Sequence, residues 1–236
     1  MDYFHQTIRV PFRWSDLRLQ STRTLARNLL AFQATVPSEL RTVVNTLLKP
    51  KNKPLFPHDS TDVLKAHLQD PELGLPTSLG LQKALKQACP ELHSLGGASV
   101  ADVDLCSCRQ VAFHHDDTNV ERHAYVAWVL GTSRPMDFTW AGSVWPVEAG
   151  TVLVFDAQRL HALLSRGQRN FRSYRLNDYT HRMVFALGTV ELTKALRERM
   201  GIECKPASDI DNFRRMGNAI YSARTGEFEQ WTSRRL

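Results

Sequence analysis

The sequence predicts an α+β fold in which helices pack on one face of a β-barrel. Three observations lead there. Residues 100–190 carry short segments rich in valine, phenylalanine and tryptophan, separated by turn residues, as in a β-sandwich or barrel. The first 95 or so residues read instead as helices and connectors. A length of 236 residues, with 42% hydrophobic and 23% charged residues, suits one barrel with helical decoration.

The elements follow in order. Leu19, Thr22, Leu25, Leu29 and Phe32 recur at helical spacing. So do Leu40, Val43, Val44, Leu47 and Leu48, behind Ser38 as N-cap. Residues 48–59 hold three prolines and read as a loop. Short helices are expected at 61–69 and 78–89, the second ended by Pro90. Strands are expected at 100–113, 123–130, 136–140, 143–147, 151–155, 160–165 and 182–190. Gly131, Pro135, Gly142 and the run 148–150 supply turns between them. A final helix at 191–200 ends near Gly201. The tail beyond it has Phe213, Ile220, Tyr221, Phe228 and Trp231 to bury.

Composition excludes some classes. No apolar run approaches the ~18 residues that span a bilayer. The N-terminus lacks the basic-then-apolar layout of a signal peptide, so a cytoplasmic protein with no membrane partner is expected. Cys89, Cys106, Cys108 and Cys204 form no CxxC pair and read as buried thiols of a reducing compartment. The net charge is +6 with a pI near 9.3. Much of the excess lies between Arg159 and Arg182, in Arg166, Arg169, Arg172 and Arg175, opposed by Asp178 alone.

The chemistry concentrates at 108–118, where His114, His115, Asp116 and Asp117 are consecutive. On an extended strand, residues two apart share a face. His114 therefore pairs with Asp116, or His115 with Asp117. A third ligand must come from elsewhere. The segment 150–164 offers it: a glycine turn, an apolar strand, a short polar turn, then His161. Two histidines and one carboxylate on one face of a metal are what non-haem iron(II) sites use. A cation for a distant carboxylate is best supplied by bidentate arginine. Arg182, at the start of the apolar strand that follows, suits that role, with Arg172 as the alternative.

This layout resembles the Fe(II)/2-oxoglutarate-dependent dioxygenase superfamily. The stretch 113–122, with Phe113 before His114-His115-Asp116 and Arg122 six residues after Asp116, is similar to the iron-binding segment of nucleic-acid demethylases of the AlkB and FTO kind. The resemblance covers residues 100 to 190. It implies a double-stranded β-helix, a jelly-roll or cupin-like barrel, with the N-terminal helices on one sheet. It implies iron(II) on His114, Asp116 and His161, and 2-oxoglutarate held by Arg182 or Arg172. Arg122 is the matching arginine beside the site, and Arg122 and Trp128 are the candidate substrate contacts. The implied reaction is hydroxylation or demethylation, with O2 as oxidant and 2-oxoglutarate decarboxylated to succinate.

The resulting expectation is one catalytic domain over 1–236: a helical part at 1–95, the barrel at 96–190, and a helix with a tail at 191–236. A small molecule or amino acid stands ahead of nucleic acid as substrate, because the chain leaves little room for a separate nucleic-acid module. Two other readings compete. One is a non-catalytic β-barrel binding nucleic acid through the arginine-rich 166–175 loop, where Phe171 and Tyr174 interleave the charges. The other is a cupin-like zinc or manganese enzyme on the same ligands. Trp128, Trp140 and Trp145 have a plainer reading as sheet core, and His5, His58, His67, His93 and His181 as structural residues. His123 lies nearest the site.

Overall fold

A computed structural model describes residues 26–48, 76–95, 99–111, 123–157, 159, 161–168 and 183–202. It also describes the backbone of 63–65, 112–114, 213–216, 219–222 and 228–230.

The chain first forms β1 (Leu30–Gln33), α1 (Ser38–Leu47), β2 (Val63–Lys65), α2 (Ser78–Ala88) and α3 (Pro90–Ser94). Eight strands follow: β3 (Val100–Cys108), β4 (Val111–His114), β5 (His123–Thr132), β6 (Met136–Trp140), β7 (Ser143–Val147), β8 (Thr151–Phe155), β9 (His161–Ser165) and β10 (Met183–Glu191). Then come α4 (Lys194–Met200), β11 (Phe213–Met216), β12 (Ala219–Ser222) and β13 (Phe228–Gln230), the last three forming a separate three-stranded sheet, apart from the large six-stranded and small four-stranded sheets of the barrel.

The eight consecutive strands are shared between two antiparallel sheets. One has the order β1-β8-β5-β10-β3-β2, the other β4-β9-β6-β7. Strands β3, β5, β8 and β10 thus lie opposite β4, β6, β7 and β9, the two-sheet arrangement of a jelly roll, or double-stranded β-helix. The fold is α+β, with helices against the large sheet.

The two faces of the large sheet are told apart by contact and register. Phe155 of β8 lies 4.9 Å from Phe138 of β6, ring to ring, so both point between the sheets. Tyr125 is paired with Phe155 and shares that inner face. On the other face, Gly131 and Trp128 pair with Val184 and Ala186. A Cβ on Gly131 would lie 2.4 Å from Val44 Cγ1 of α1, so only glycine lets the helix approach there. Helix α2 covers the same sheet at β3 with Leu81 and Leu85, one turn apart and at most 1% exposed. Each such leucine contributes about 1.5–3 kcal/mol by leaving water.

Local chemistry explains the helix ends. Thr77 caps α2 by accepting from Gly80 N at 3.0 Å. Pro90 ends α2 and opens α3 at a position that needs no N–H. Gly201 closes α4 with φ +66°, a left-handed conformation that favours glycine. Burial pushes the Cys89 thiol above its ordinary pKa. Cys89, Cys106 and Cys108 are buried, as read from the sequence, and Cys204 lies outside the described residues.

Several expectations need correction. Residues 30–33, read as the end of a helix, form β1, an edge strand paired with β8, because pairing overrides local periodicity. Residues 63–65, read as helical, pair with β3. Ser38 lies inside α1 and bonds Glu39, while Pro37 holds the cap position without a side-chain bond. The single strand at 100–113 is two strands in different sheets, broken at Arg109-Gln110. The expected strands 136–140, 143–147 and 151–155 match β6, β7 and β8 residue for residue. Among the described residues no helix is long and apolar enough to cross a membrane.

Candidate metal centre

Strand β4 ends at His114 and β9 begins at His161. The two are partners across the β4–β9 ladder, although 47 residues separate them in sequence. Trp140, the last residue of β6, pairs with His161 from the other side.

The turn that delivers His161 is tied down from three directions. Arg159 N donates to Asp156 O at 3.1 Å, which closes the turn. The Trp140 indole Nε1 donates to the same Asp156 carbonyl at 3.0 Å. The Asp156 carboxylate accepts from Ala26 N at 2.9 Å, and Arg159 Nε donates to the Ala26 carbonyl. The Arg159 guanidinium lies 5.5 Å from the Trp140 ring centroid, a cation–π contact. Asp156 is 0% exposed and Arg159 3%, so this charged pair of residues sits in the interior and must be held by fixed partners.

His161 is 5% exposed. Its ring lies 5.3 Å from Phe155 and 6.0 Å from Phe138, so it points between the sheets. Its Nδ1 is 2.8 Å from the Arg159 carbonyl oxygen. A carbonyl only accepts, so Nδ1 carries the proton and Nε2 of the neutral ring keeps the lone pair. That is the tautomer a divalent metal takes, fixed by the outer hydrogen bond that metal-ligating histidines use. The donor chemistry of His161 therefore fits a metal ion.

Around it the inner faces are aromatic. Tyr125 stands edge-on to Phe155 at 5.9 Å, and Trp145 is the cross-strand partner of Phe138. His123, half-buried, opens β5 two residues before Tyr125, on the same face.

The other predicted site residues are less gathered. His115, Asp116, Asp117, Arg122, Arg169, Arg172, Arg175 and Arg182 lie outside the described residues. Among those described, no three His, Cys, Asp or Glu side chains cluster for a metal, and Asp116 is not one of them. Arg182 immediately precedes Met183, which pairs with Cys108 and Thr132. That is the end of the barrel away from His161. Arg166 is exposed and bonds Asp137 Oδ1 at 3.3 Å, while Gly167 N bonds Asp137 Oδ2 at 2.9 Å. The start of the arginine-rich segment is thus tied to the small sheet.

Trp128 is corrected. It is 0% exposed and shares the face of Gly131, toward α1 rather than the barrel interior. No substrate in the barrel can touch it. Its plainer reading, as core, holds. Sequence reasoning missed Asp156, Arg159 and the aromatic lining of Tyr125, Phe138 and Phe155. The signal for the first two was two charged residues inside an otherwise apolar run leading to His161.

No protein-family model matches the sequence, and neither does any curated protein. Solved structures match in backbone course at low identity. One is the non-heme alpha ketoglutarate dependent epimerase SnoN from nogalamycin biosynthesis, with TM-score 0.45 and 11% identity over 78% of this chain and 80% of that one. Another is AviO1 from Streptomyces viridochromogenes Tue57, with TM-score 0.40 and 11% identity over 79% of this chain and 97% of that one. A third is a predicted oxalate decarboxylase from Thermotoga maritima, with TM-score 0.27 and 14% identity over 44% and 75%.

Proposed function

We propose that this chain is a non-haem iron(II) enzyme using 2-oxoglutarate, with the metal on His114, Asp116 and His161. The observation that carries the reading is the register that makes His114 and His161 cross-strand partners. Paired positions of an antiparallel ladder share a face, with Cβ atoms about 4.5–5.5 Å apart. The backbone register thereby brings two histidine positions onto one face from distant parts of the sequence. The same register supports His114/Asp116 over His115/Asp117, since a one-residue slip turns a strand position to the other face.

The groups divide the work as follows. His161 presents Nε2, and the Arg159 carbonyl holds the proton on Nδ1. Phe138 and Phe155 keep water from the imidazole. Arg182, or Arg172, would supply the cation for the far carboxylate of 2-oxoglutarate. Iron(II) bound with 2-oxoglutarate would supply oxidation of a substrate C–H bond by O2, the co-substrate leaving as succinate and CO2.

The test is anaerobic titration of the purified protein with iron(II) and 2-oxoglutarate. A weak visible charge-transfer band is expected, absent in His161→Ala. Folded protein that binds zinc or manganese but gives no band moves the site to another metal chemistry. Folded protein that binds no metal overturns the reading.

A further inference from the structure

We propose that residues 26–28 are a positioning strap, which ties the end of α4 to the turn carrying His161 and so holds that imidazole's lone pair on Nε2, ready for a metal. The inference deepens the reading just given and rests on it for the metal.

On one side the turn grips the strap. Ala26 is 0% exposed, and side chains hold both of its backbone polar groups. Its N–H donates to Asp156 Oδ2 at 2.9 Å, and its carbonyl accepts from Arg159 Nε. Burying two ionisable side chains is a costly way to satisfy one residue's backbone, which an ordinary ladder does with neutral groups. The two come from either end of the turn, and the Arg159 carbonyl is the acceptor for His161 Nδ1.

On the other side lies α4. The last four carbonyls of a helix have no partner within it. In α4 two of them, on Arg197 and Glu198, are met by the chain that leaves the helix at Gly201 and Ile202. The other two are met by the strap. Arg27 N and Asn28 N both donate to the Met200 carbonyl, at 2.9 and 3.0 Å, and Asn28 Nδ2 donates to the Arg199 carbonyl at 3.0 Å. Just beyond, Leu30 enters the ladder opposite Val154, two residues before Asp156. The strap is therefore fixed at α4, at the turn and at β8. Asn28 and Asp156 are positioning residues, which act on His161 through the Arg159 carbonyl.

The test uses the full chain, metal-free, with nitrogen-15 in its nine histidines, at pH ~8 where an ordinary imidazole is neutral. The His161 signals, assigned by their loss in His161→Ala, should show the proton on Nδ1. Asp156→Ala should mix the two tautomers and weaken cobalt(II) at least ~10-fold in chelator competition. Asp156→Asn keeps an oxygen acceptor for Ala26 N–H and should restore affinity to within about threefold. Asn28→Ala, whose lost bond lies at the surface, carries the test if Asp156→Ala does not fold. It should cost about threefold, part of the worth of one neutral hydrogen bond. A lower melting temperature with tautomer and cobalt affinity unchanged, in Asn28→Ala and in every Asp156 variant that folds, overturns the strap. So does an unmodified chain that carries the proton on Nε2. The expected tautomer, mixed by Asp156→Ala, in a chain that binds no cobalt keeps the strap and overturns the metal reading.

Discussion

The two sheets are built of the same antiparallel ladders but differ in what they bury. The large sheet buries an apolar outer face. Leu105, Val126, Trp128 and Val184 are at most 1% exposed, and α1 and α2 cover its outer side. The small sheet and the turn leading into it carry most of the buried polar groups: Gln110, Asp137, Thr139, Arg159 and His161. Buried polar groups cost free energy unless bonded, so a sequence keeps them where they have a task. On the proposed reading, the large sheet and its helices supply stability, and the small sheet carries the chemistry. If that division is right, substitutions in one should change melting and not turnover, and in the other turnover and not melting.

The largest expected effect is Asp116→Ala. On the proposed ligand set it would leave two protein ligands for the metal, and 2-oxoglutarate-dependent succinate formation should fall to background while the melting temperature holds. Unchanged turnover would move the ligand set to His115 and Asp117 or remove the iron chemistry altogether.

Next is Trp128→Ala, on the other side of the comparison. It empties a fully buried aromatic site in the large sheet and should cost about 3–5 kcal/mol in denaturant unfolding. Succinate formation per folded molecule, measured well below the melting temperature, should be unchanged. A variant that kept its stability and lost turnover would reverse the assignment of the two sheets.

The comparison also explains what could be read from the sequence. Strands 136–140, 143–147 and 151–155 were legible because turn residues bracket each apolar run, and their bounds were recovered. The histidine pair was legible as a pattern of residue types. That His114 and His161 are ladder partners was not, because register depends on chain pairing between segments far apart in sequence. Strand β1 was misread because Leu29 and Phe32 fit a helical period, and only pairing with β8 makes the segment extended. Trp128 was ambiguous because alternation gives two faces without saying which one is the interior. The Leu130 step, where β10 skips a residue of β5, shifts that alternation further. Arg159 was invisible as a support for His161, since its partners are the Ala26 backbone and the Trp140 ring, far away in sequence.

The third effect concerns the arginine for 2-oxoglutarate. Loss of a charge-assisted pair costs about 2 kcal/mol, or roughly 30-fold. Arg182→Ala should therefore raise the half-saturating 2-oxoglutarate concentration by about that factor, with little change at saturation. If Arg172→Ala does so and Arg182→Ala does not, the anchor lies in the arginine-rich segment rather than at the strand start. Steep salt dependence of nucleic-acid binding, measured by gel shift and lost with these arginines, would instead favour a binding role for that segment.

The smallest effect tests the turn rather than the ligands. Arg159→Met keeps a long side chain over Trp140 but removes the donor to the Ala26 carbonyl. The Arg159 carbonyl, which fixes the proton on His161 Nδ1, would then be held by the turn bond from Asp156 and its neighbours alone. Groups that orient a metal-ligating histidine are worth at least ~10-fold in metal affinity. Cobalt(II) or iron(II) competition against a chelator should show about that loss, with the charge-transfer band still formed at saturating metal. A variant with unchanged metal affinity but lower melting temperature would place Arg159 with the large sheet's stability role. The boundary between the two regions would then fall at His161 itself rather than at the turn before it.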